Sequence, residues 1–228
     1  KSEDGYSCDL AKKKKKRITD SGAELVGEAQ FGKRMSGLSV VLEQAKDVKA
    51  DVIFLAFDRP DVLHLLNHWP QKHEAAHPVA FTTLSSSDVH ELGNKPLPAF
   101  YTVSPFYWNQ DGPTREWSTK FAARNRGAMP TDTQASVYSS VRHFLQSLKV
   151  VQADDTANVL NHMRATPLDD SLFGASRIRR DGLVEHRLLL LSSIKNSERK
   201  NPWDIYRIEH IINPQQVLLP PEAICANE

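Results

Sequence analysis

The residues with most potential for chemistry lie between two prolines. His73-Glu-Ala-Ala-His77 sets two histidines at i and i+4 with a glutamate beside the first. On a helix that pattern turns both imidazoles toward one zinc ion and lets the carboxylate activate a water. The chemistry needs helical backbone through His77, and Pro78 follows directly, which drives the preceding residue out of helical geometry. Pro70 stands just upstream, and the nearest further acidic candidate, Glu91, has no zinc-site spacing. The string reads as a solvated connection. His64 and His68 repeat the i, i+4 spacing with Asp61 one turn earlier, but no fourth ligand stands nearby, so they read as surface histidines of a helix. There is no Gly-x-Ser-x-Gly, no phosphate loop and no Gly-x-Gly-x-x-Gly. Catalytic residues, metal and cofactor are all expected to be none, and the chain is expected not to be an enzyme.

Composition narrows the classes. A chain of 228 residues with 40% hydrophobic and 25% charged residues can bury an ordinary core. No apolar run approaches the ~20 residues of a spanning helix. A net charge of +1 excludes a broad basic surface for nucleic acid. Cys8 and Cys225, near the two ends, leave one possible bridge, which does not fix a compartment. The start has neither an initiator Met nor a signal peptide and reads as an interior cut.

The elements that must position any site follow from periodicity. Glu24 to Phe31 reads as a strand, and Leu38 to Val48 as a helix with Leu38, Val41, Leu42 and Ala45 on one face. Asp51-Val-Ile-Phe-Leu-Ala-Phe57 is nearly continuous apolar sequence, the pattern of a strand covered on both faces. Asp61 to Trp69 predicts a helix burying Val62, Leu65, Leu66 and Trp69. Pro78 to Thr83 is the third strand, followed by Ser85-Ser-Ser-Asp88 as a cap and a short helix to Gly93. Strand starts about 27 residues apart suit parallel strands joined by crossover helices. The class is α/β, a doubly wound parallel sheet.

Beyond a strand at Ala99 to Val103 and an aromatic loop from Ser104 to Gly112, the pattern is helical only: Thr114 to Arg126, Thr133 to Val150, Thr156 to Arg164. A hairpin around Asp181-Gly182 and a last strand from Trp203 to Ile212 close the chain. Helices without strands of their own, set between two pieces of α/β, imply a second lobe that lacks its sheet. The run Lys12 to Lys16 with Arg17 falls in an expected helix between Leu10 and Gly22, where lysine replaces an apolar face; such a helix packs poorly.

In open parallel sheets, ligands bind beyond the carboxyl ends of the strands. Three loops qualify: around Phe31, at Phe57-Asp58-Arg59, and at Thr82-Thr83-Leu84. The loop Tyr101 to Trp108 is placed beside them. Phe57, Tyr107 and Trp108 would form an apolar wall and Thr82 and Thr83 would supply hydrogen bonds, a mixture suited to a small amphipathic ligand. The alternative, that these aromatics simply pack the lobe, stands equally open.

The residues also carry a resemblance. The order of Gly5-Tyr6, Ala50-Asp-Val-Ile-Phe-Leu-Ala56, Phe106-Tyr-Trp-Asn109, Thr114-Arg-Glu-Trp-Ser118 with Phe121, Met129-Pro130, Val137-Tyr-Ser-Ser140, Arg179-Arg-Asp-Gly182 with His186, Pro202-Trp-Asp-Ile-Tyr206 and Cys225 spans nearly the whole chain. It resembles the carboxyl-terminal portion of ABC-transporter periplasmic solute-binding proteins of the leucine/isoleucine/valine-binding type, with the type I periplasmic-binding-protein fold. The resemblance implies residues 1–102 as the first segment of a second lobe, 103–175 as helices belonging to the first lobe, and 176–228 as the closing segment of the second. One lobe would be nearly complete and the other would lack its sheet. It implies ligand contacts at Tyr6, Phe57, Asp58, Thr82, Thr83, Leu84, Tyr107, Trp108 and Thr133. Asp58-Arg59-Pro60 departs from the family's glycine-rich turn, and the lysine run is foreign to it.

The implied ligand is a branched-chain amino acid, an amide or a small aromatic carboxylate, held by hinge closure. The implied partners are that solute and the membrane permease of an ABC transporter, with no nucleic acid and no membrane span, and the implied location is periplasmic or extracellular. Three rivals remain: a ligand-sensing regulatory module of the same fold, a zinc metallohydrolase on His73, Glu74 and His77, and a degraded gene fragment.

Overall fold

The computed structural model describes residues 15, 18–29, 38–55, 59–69, 77–80, 84–93, 95, 97–152, 155–168 and 170–218. The chain divides into two compact units. The first comprises residues 1–84, 88–102 and 192–207; the second comprises 85–87, 103–191 and 208–228.

In the first unit, helix α1 (Leu38–Asp47) precedes strand β1 (Val52–Leu55), helix α2 (Arg59–Asn67), strand β2 (His77–Ala80) and helix α3 (Ser86–Glu91). Strand β3 (Tyr101–Ser104) leads on into the second unit. β1 runs parallel to β2, with Val52 opposite His77 and Leu55 opposite Ala80, and β2 runs parallel to β3. This is the expected order, produced by helices that return the chain to the same end of the sheet each time. α2 buries Val62, Leu65 and Leu66 in the i, i+3, i+4 pattern read from the sequence, and Trp69 is buried just beyond its end.

Two expectations are corrected here. Residues 23–29 form no strand, and Leu25 and Val26 stand 43% and 44% exposed. The Glu28 carboxylate instead pairs with Lys15. β1 is not covered on both faces: Val52 and Phe54 are exposed while Leu55 is 4% exposed.

The second unit holds α4 (Gly112–Arg124), α5 (Asp132–Val151) and α6 (Thr156–Ala165), then a hairpin of β4 (Arg177–Ile178) and β5 (Val184–Glu185). The hairpin turns at Gly182, whose φ of +86° suits glycine, as the Asp181-Gly182 signal predicts. β6 (Leu188–Ser193) and β7 (Tyr206–Ile212) complete a five-stranded sheet of order β1-β2-β3-β6-β7, and helix α7 (Pro214–Val217) follows. The expected closing segment is divided: residues 176–191 and 208–228 fall in the second unit, and only 192–207 in the first. The hairpin lies in the second unit because its neighbours do: Leu168 bridges Ser176, and Phe173 meets His186 with ring centroids 5.5 Å apart. β3, β6 and β7 each begin in one unit and end in the other.

Candidate functional site

The aromatic loop of the second unit is built by side chains that serve its own backbone. Ser104 Oγ donates to the carbonyl of Phe106 at 2.8 Å and accepts from its N–H at 3.3 Å, so β3 stops in a tight turn. Gln110 then ties the loop shut. Its Oε1 accepts from the Tyr107 N–H at 3.2 Å, while its Nε2 donates to the Leu172 carbonyl at 2.6 Å and to Thr114 Oγ1 at 3.1 Å. Asp111 caps α4 by accepting from the Thr114 N–H at 2.8 Å, and its other oxygen meets Arg187 at 3.4 Å.

These bonds fix an aromatic cluster. Phe106, Tyr107 and Trp108 are buried; the Tyr107 and Trp108 rings lie 6.0 Å apart, and Phe106 meets Trp117 edge-on at 6.0 Å and Phe173 at 6.1 Å. Tyr107 and Trp108 are thus packed parts of the second unit. Thr133 lies exposed in the first turn of α5, which begins at Asp132; the capping residue is Thr131, paired with Gln134 in a capping box.

In the first unit, Leu84 is 1% exposed, so its side chain belongs to the core, and its carbonyl accepts from Tyr206 Oη at 3.3 Å. Arg59, part of the departure from a glycine-rich turn, forms an ion pair with Asp88 in the first turn of α3. The Asp88 side chain is 1% exposed and that of Arg59 57%, so the cation reaches in from the surface to a buried carboxylate. Tyr6, Phe57, Asp58, Thr82 and Thr83 lie outside the described residues, as do His73, Glu74, Cys8 and Cys225. His77 opens strand β2. His68 Nδ1 contacts the His64 carbonyl at 2.8 Å, and among the described residues no three His, Cys, Asp or Glu gather as a metal site.

Displaced pKa values accompany ion pairs elsewhere. The hydrogen bond from Arg179 holds the Asp181 carboxyl below its ordinary value, Lys120 does the same for Glu116, and Glu185 raises Arg177. A surface pocket of about 340 Å³ in the first unit is lined by His90, Asn196, Arg199, Lys200 and Asn201, none of them a predicted contact.

Periodicity could not find Gln110, Arg187 or Arg59. Each acts by reaching a residue distant in sequence, and only a polar residue inside an aromatic loop hinted at Gln110.

Compared with known families, residues 3–198 match the model of the periplasmic binding protein family. The chain belongs to that family. No curated protein sequence matches it. Among solved structures, a periplasmic binding protein from Burkholderia mallei is 25% identical with a TM-score of 0.76, aligned over 97% of this chain and 59% of its own. A branched-chain amino acid ABC transporter periplasmic ligand-binding protein from Burkholderia xenovorans is 22% identical, TM-score 0.84, over 96% of this chain and 59% of its own. An ABC-transporter solute-binding protein from R. palustris in complex with benzoate is 13% identical, TM-score 0.65, over 88% and 53%. The chain thus spans under two thirds of the length of these relatives. The type I periplasmic-binding fold and the likeness to the branched-chain amino acid binding proteins stand as the sequence implied.

Proposed function

We propose that this chain is the larger part of the solute-binding component of an ABC uptake transporter and does not act as an enzyme. The solute is a branched-chain amino acid, an amide or a small aromatic carboxylate. Two lobes close on it, and the closed form is what a membrane permease recognises, in the periplasm or outside the cell. The first lobe takes in the helices of residues 103–175. The contacts are Tyr6, Phe57, Asp58, Thr82, Thr83, the backbone at Leu84, Tyr107, Trp108 and Thr133.

The observation that carries this reading is the passage of three separate strands, β3, β6 and β7, from one compact unit to the other in a chain of this family. The Gln110 network fixes the backbone that carries Tyr107 and Trp108, so that segment would lose little entropy on meeting a solute. Solved relatives, one described as a branched-chain amino acid ABC transporter periplasmic ligand-binding protein and one in complex with benzoate, support the solute class.

Half a cleft offers half the contacts, so this chain alone is expected to show no thermal shift with leucine, valine, benzoate or hydroxybenzoate. A protein extended to the full length of the solved relatives is expected to shift with at least one of the four. Silence from the extended protein toward all four sinks the solute class, and a clear shift by the chain alone sinks the half-cleft argument.

A further inference from the structure

The first unit carries a second concave site, at the opposite end of its sheet from the proposed solute contacts. Ligands of parallel sheets bind beyond the carboxyl ends of the strands. The segment of residues 194–205 opens at the other end. The N–H of Ser193, where β6 stops, donates to the Phe100 carbonyl at 2.9 Å, immediately before β3 begins at Tyr101. β3 has four residues, so about 13 Å of strand, at 3.3 Å per residue, separates this segment from the carboxyl ends. Between the segment and the end of α3 lies the pocket of about 340 Å³. Small-molecule sites span roughly 300–1,000 Å³.

The pocket's walls are fixed by their own contacts. His90 Nδ1 donates to the Pro202 carbonyl at 3.2 Å, and the His90 ring stacks on Trp203 with centroids 3.8 Å and planes 11° apart. The Trp203 N–H donates to Asn201 Oδ1 at 2.8 Å, and Asn196 Nδ2 donates to the Lys95 carbonyl at 3.2 Å. The charge is one-sided. Arg199 and Lys200 line the pocket, and among the described residues no carboxylate does. The segment's two acids are engaged elsewhere: Glu198 pairs with Arg207 at 3.3 Å, and Asp204, 8% exposed, accepts from the Lys200 N–H at 3.4 Å. A guanidinium fork, an ammonium and the Asn201 amide nitrogen in one pocket suit a phosphate group, with its near-double charge and three acceptor oxygens, better than a carboxylate. Gly93 leaves space for an organic remainder, since a Cβ placed there would meet nothing within 4 Å.

We propose that this pocket binds a small phosphate monoester, at a second site that shares no residue with the proposed solute contacts. It depends neither on the identity of the transported solute nor on closure of the cleft. Cations beside the carboxyl end of a helix also offset its dipole, a role that needs no ligand. The two roles separate at Lys200, which is exposed and whose ammonium takes part in no hydrogen bond or ion pair among the described residues.

The test is isothermal titration calorimetry of the 228-residue chain with glycerol 3-phosphate and with acetate. It is repeated on Lys200→Gln and on Lys195→Gln, the latter an exposed lysine of the same segment outside the pocket. Glycerol 3-phosphate is expected to bind one to one with a Kd below about 1 mM, and acetate to give no saturable heat. Lys200→Gln should weaken binding about tenfold, the loss of one charge-assisted contact, with the melt unchanged. Lys195→Gln should leave both as they were. Sedimentation with phosphatidylcholine vesicles containing phosphatidic acid distinguishes the source of the phosphate: capture that glycerol 3-phosphate displaces supports the same site on a lipid headgroup, and no capture supports a free ester. Three results would overturn the proposal. One is the absence of saturable heat up to about 10 mM. Another is equal weakening by the two lysine variants, which would mean general surface charge. The third is a lower melt for Lys200→Gln with unchanged affinity, which would mean that the cation serves the helix alone.

Discussion

Replacing Gln110 with leucine removes three hydrogen bonds at once while keeping the side chain's bulk. The Tyr107 N–H loses its acceptor at 3.2 Å, the Leu172 carbonyl loses its donor at 2.6 Å, and Thr114 Oγ1 loses its donor at 3.1 Å. Tyr107, Leu172 and Thr114 are 3%, 1% and 0% exposed, so water does not readily replace what is lost. Each broken bond costs about 1 kcal/mol net, and a buried group left without a partner costs about 1–3 kcal/mol. Allowing for partial relaxation of the loop, the total is about 2–4 kcal/mol. For a chain of this size that lowers the melting temperature by about 5–15 °C. Urea unfolding followed by circular dichroism gives the free energy, and emission from the four tryptophans, Trp108 and Trp117 of the aromatic cluster among them, gives a second probe in the same experiment. Gln110→Glu separates the parts: it keeps an acceptor for Tyr107 but sets a carboxylate against the Leu172 carbonyl, so it should be at least as damaging as leucine. A loss below about 0.5 kcal/mol for both variants would show that the loop is held by aromatic packing and not by this side chain.

Three further outcomes concern other contacts of the chain. Arg179 depresses the Asp181 carboxyl, so the pair's stabilisation is present above the unfolded carboxyl value near 3.9 and disappears as pH falls through the lowered native value; Asp181→Asn should flatten the decline of the urea midpoint below about pH 4, and equal slopes would contradict this. Gly174 has φ of +70°, and an added Cβ would meet Arg187 at 3.4 Å, so Gly174→Ala should cost about 1–2 kcal/mol by chemical unfolding. Arg59→Ala withdraws a cation from a buried carboxylate; because the arginine is itself 57% exposed, the cost is about 1–2 kcal/mol, less than for a fully buried pair. Combining it with Asp88→Asn should cost less than the sum of the two single changes, and strict additivity would deny the coupling.

Where burial and repeat pattern coincide, the elements were legible. Val62, Leu65 and Leu66 announce α2, Asp181-Gly182 announces the hairpin, and the parallel order of β1, β2 and β3 follows from the spacing of strand starts. Failure came where apolar sequence has no cover. Leu25 and Val26 have strand-like neighbours in sequence, yet a strand needs an edge to pair with and a layer to lie against, and at 43% and 44% exposed they have no such layer. Val52 and Phe54 belong to a strand whose alternate residues face outward, where a continuous apolar run had implied cover on both faces. The aromatic loop was visible as a loop, but its fixing by Gln110 and by the link from Asp111 to Arg187 depends on residues 62 and 76 positions apart, which no local pattern encodes. The proposed ligand contacts come from family likeness alone, and five of them, Tyr6, Phe57, Asp58, Thr82 and Thr83, lie outside the described residues.

The interleaving of the two units bears on how the chain is made. Residues 192–207 complete the first unit, although residues 1–84 emerge from the ribosome long before them. Synthesis proceeds at about 5–20 residues per second, so the early βα repeats wait for several seconds with β3 lacking its β6 neighbour. An open strand edge over that interval recruits other chains, so overproduction in bacteria should yield inclusion bodies unless growth is cooled or a holdase chaperone is supplied.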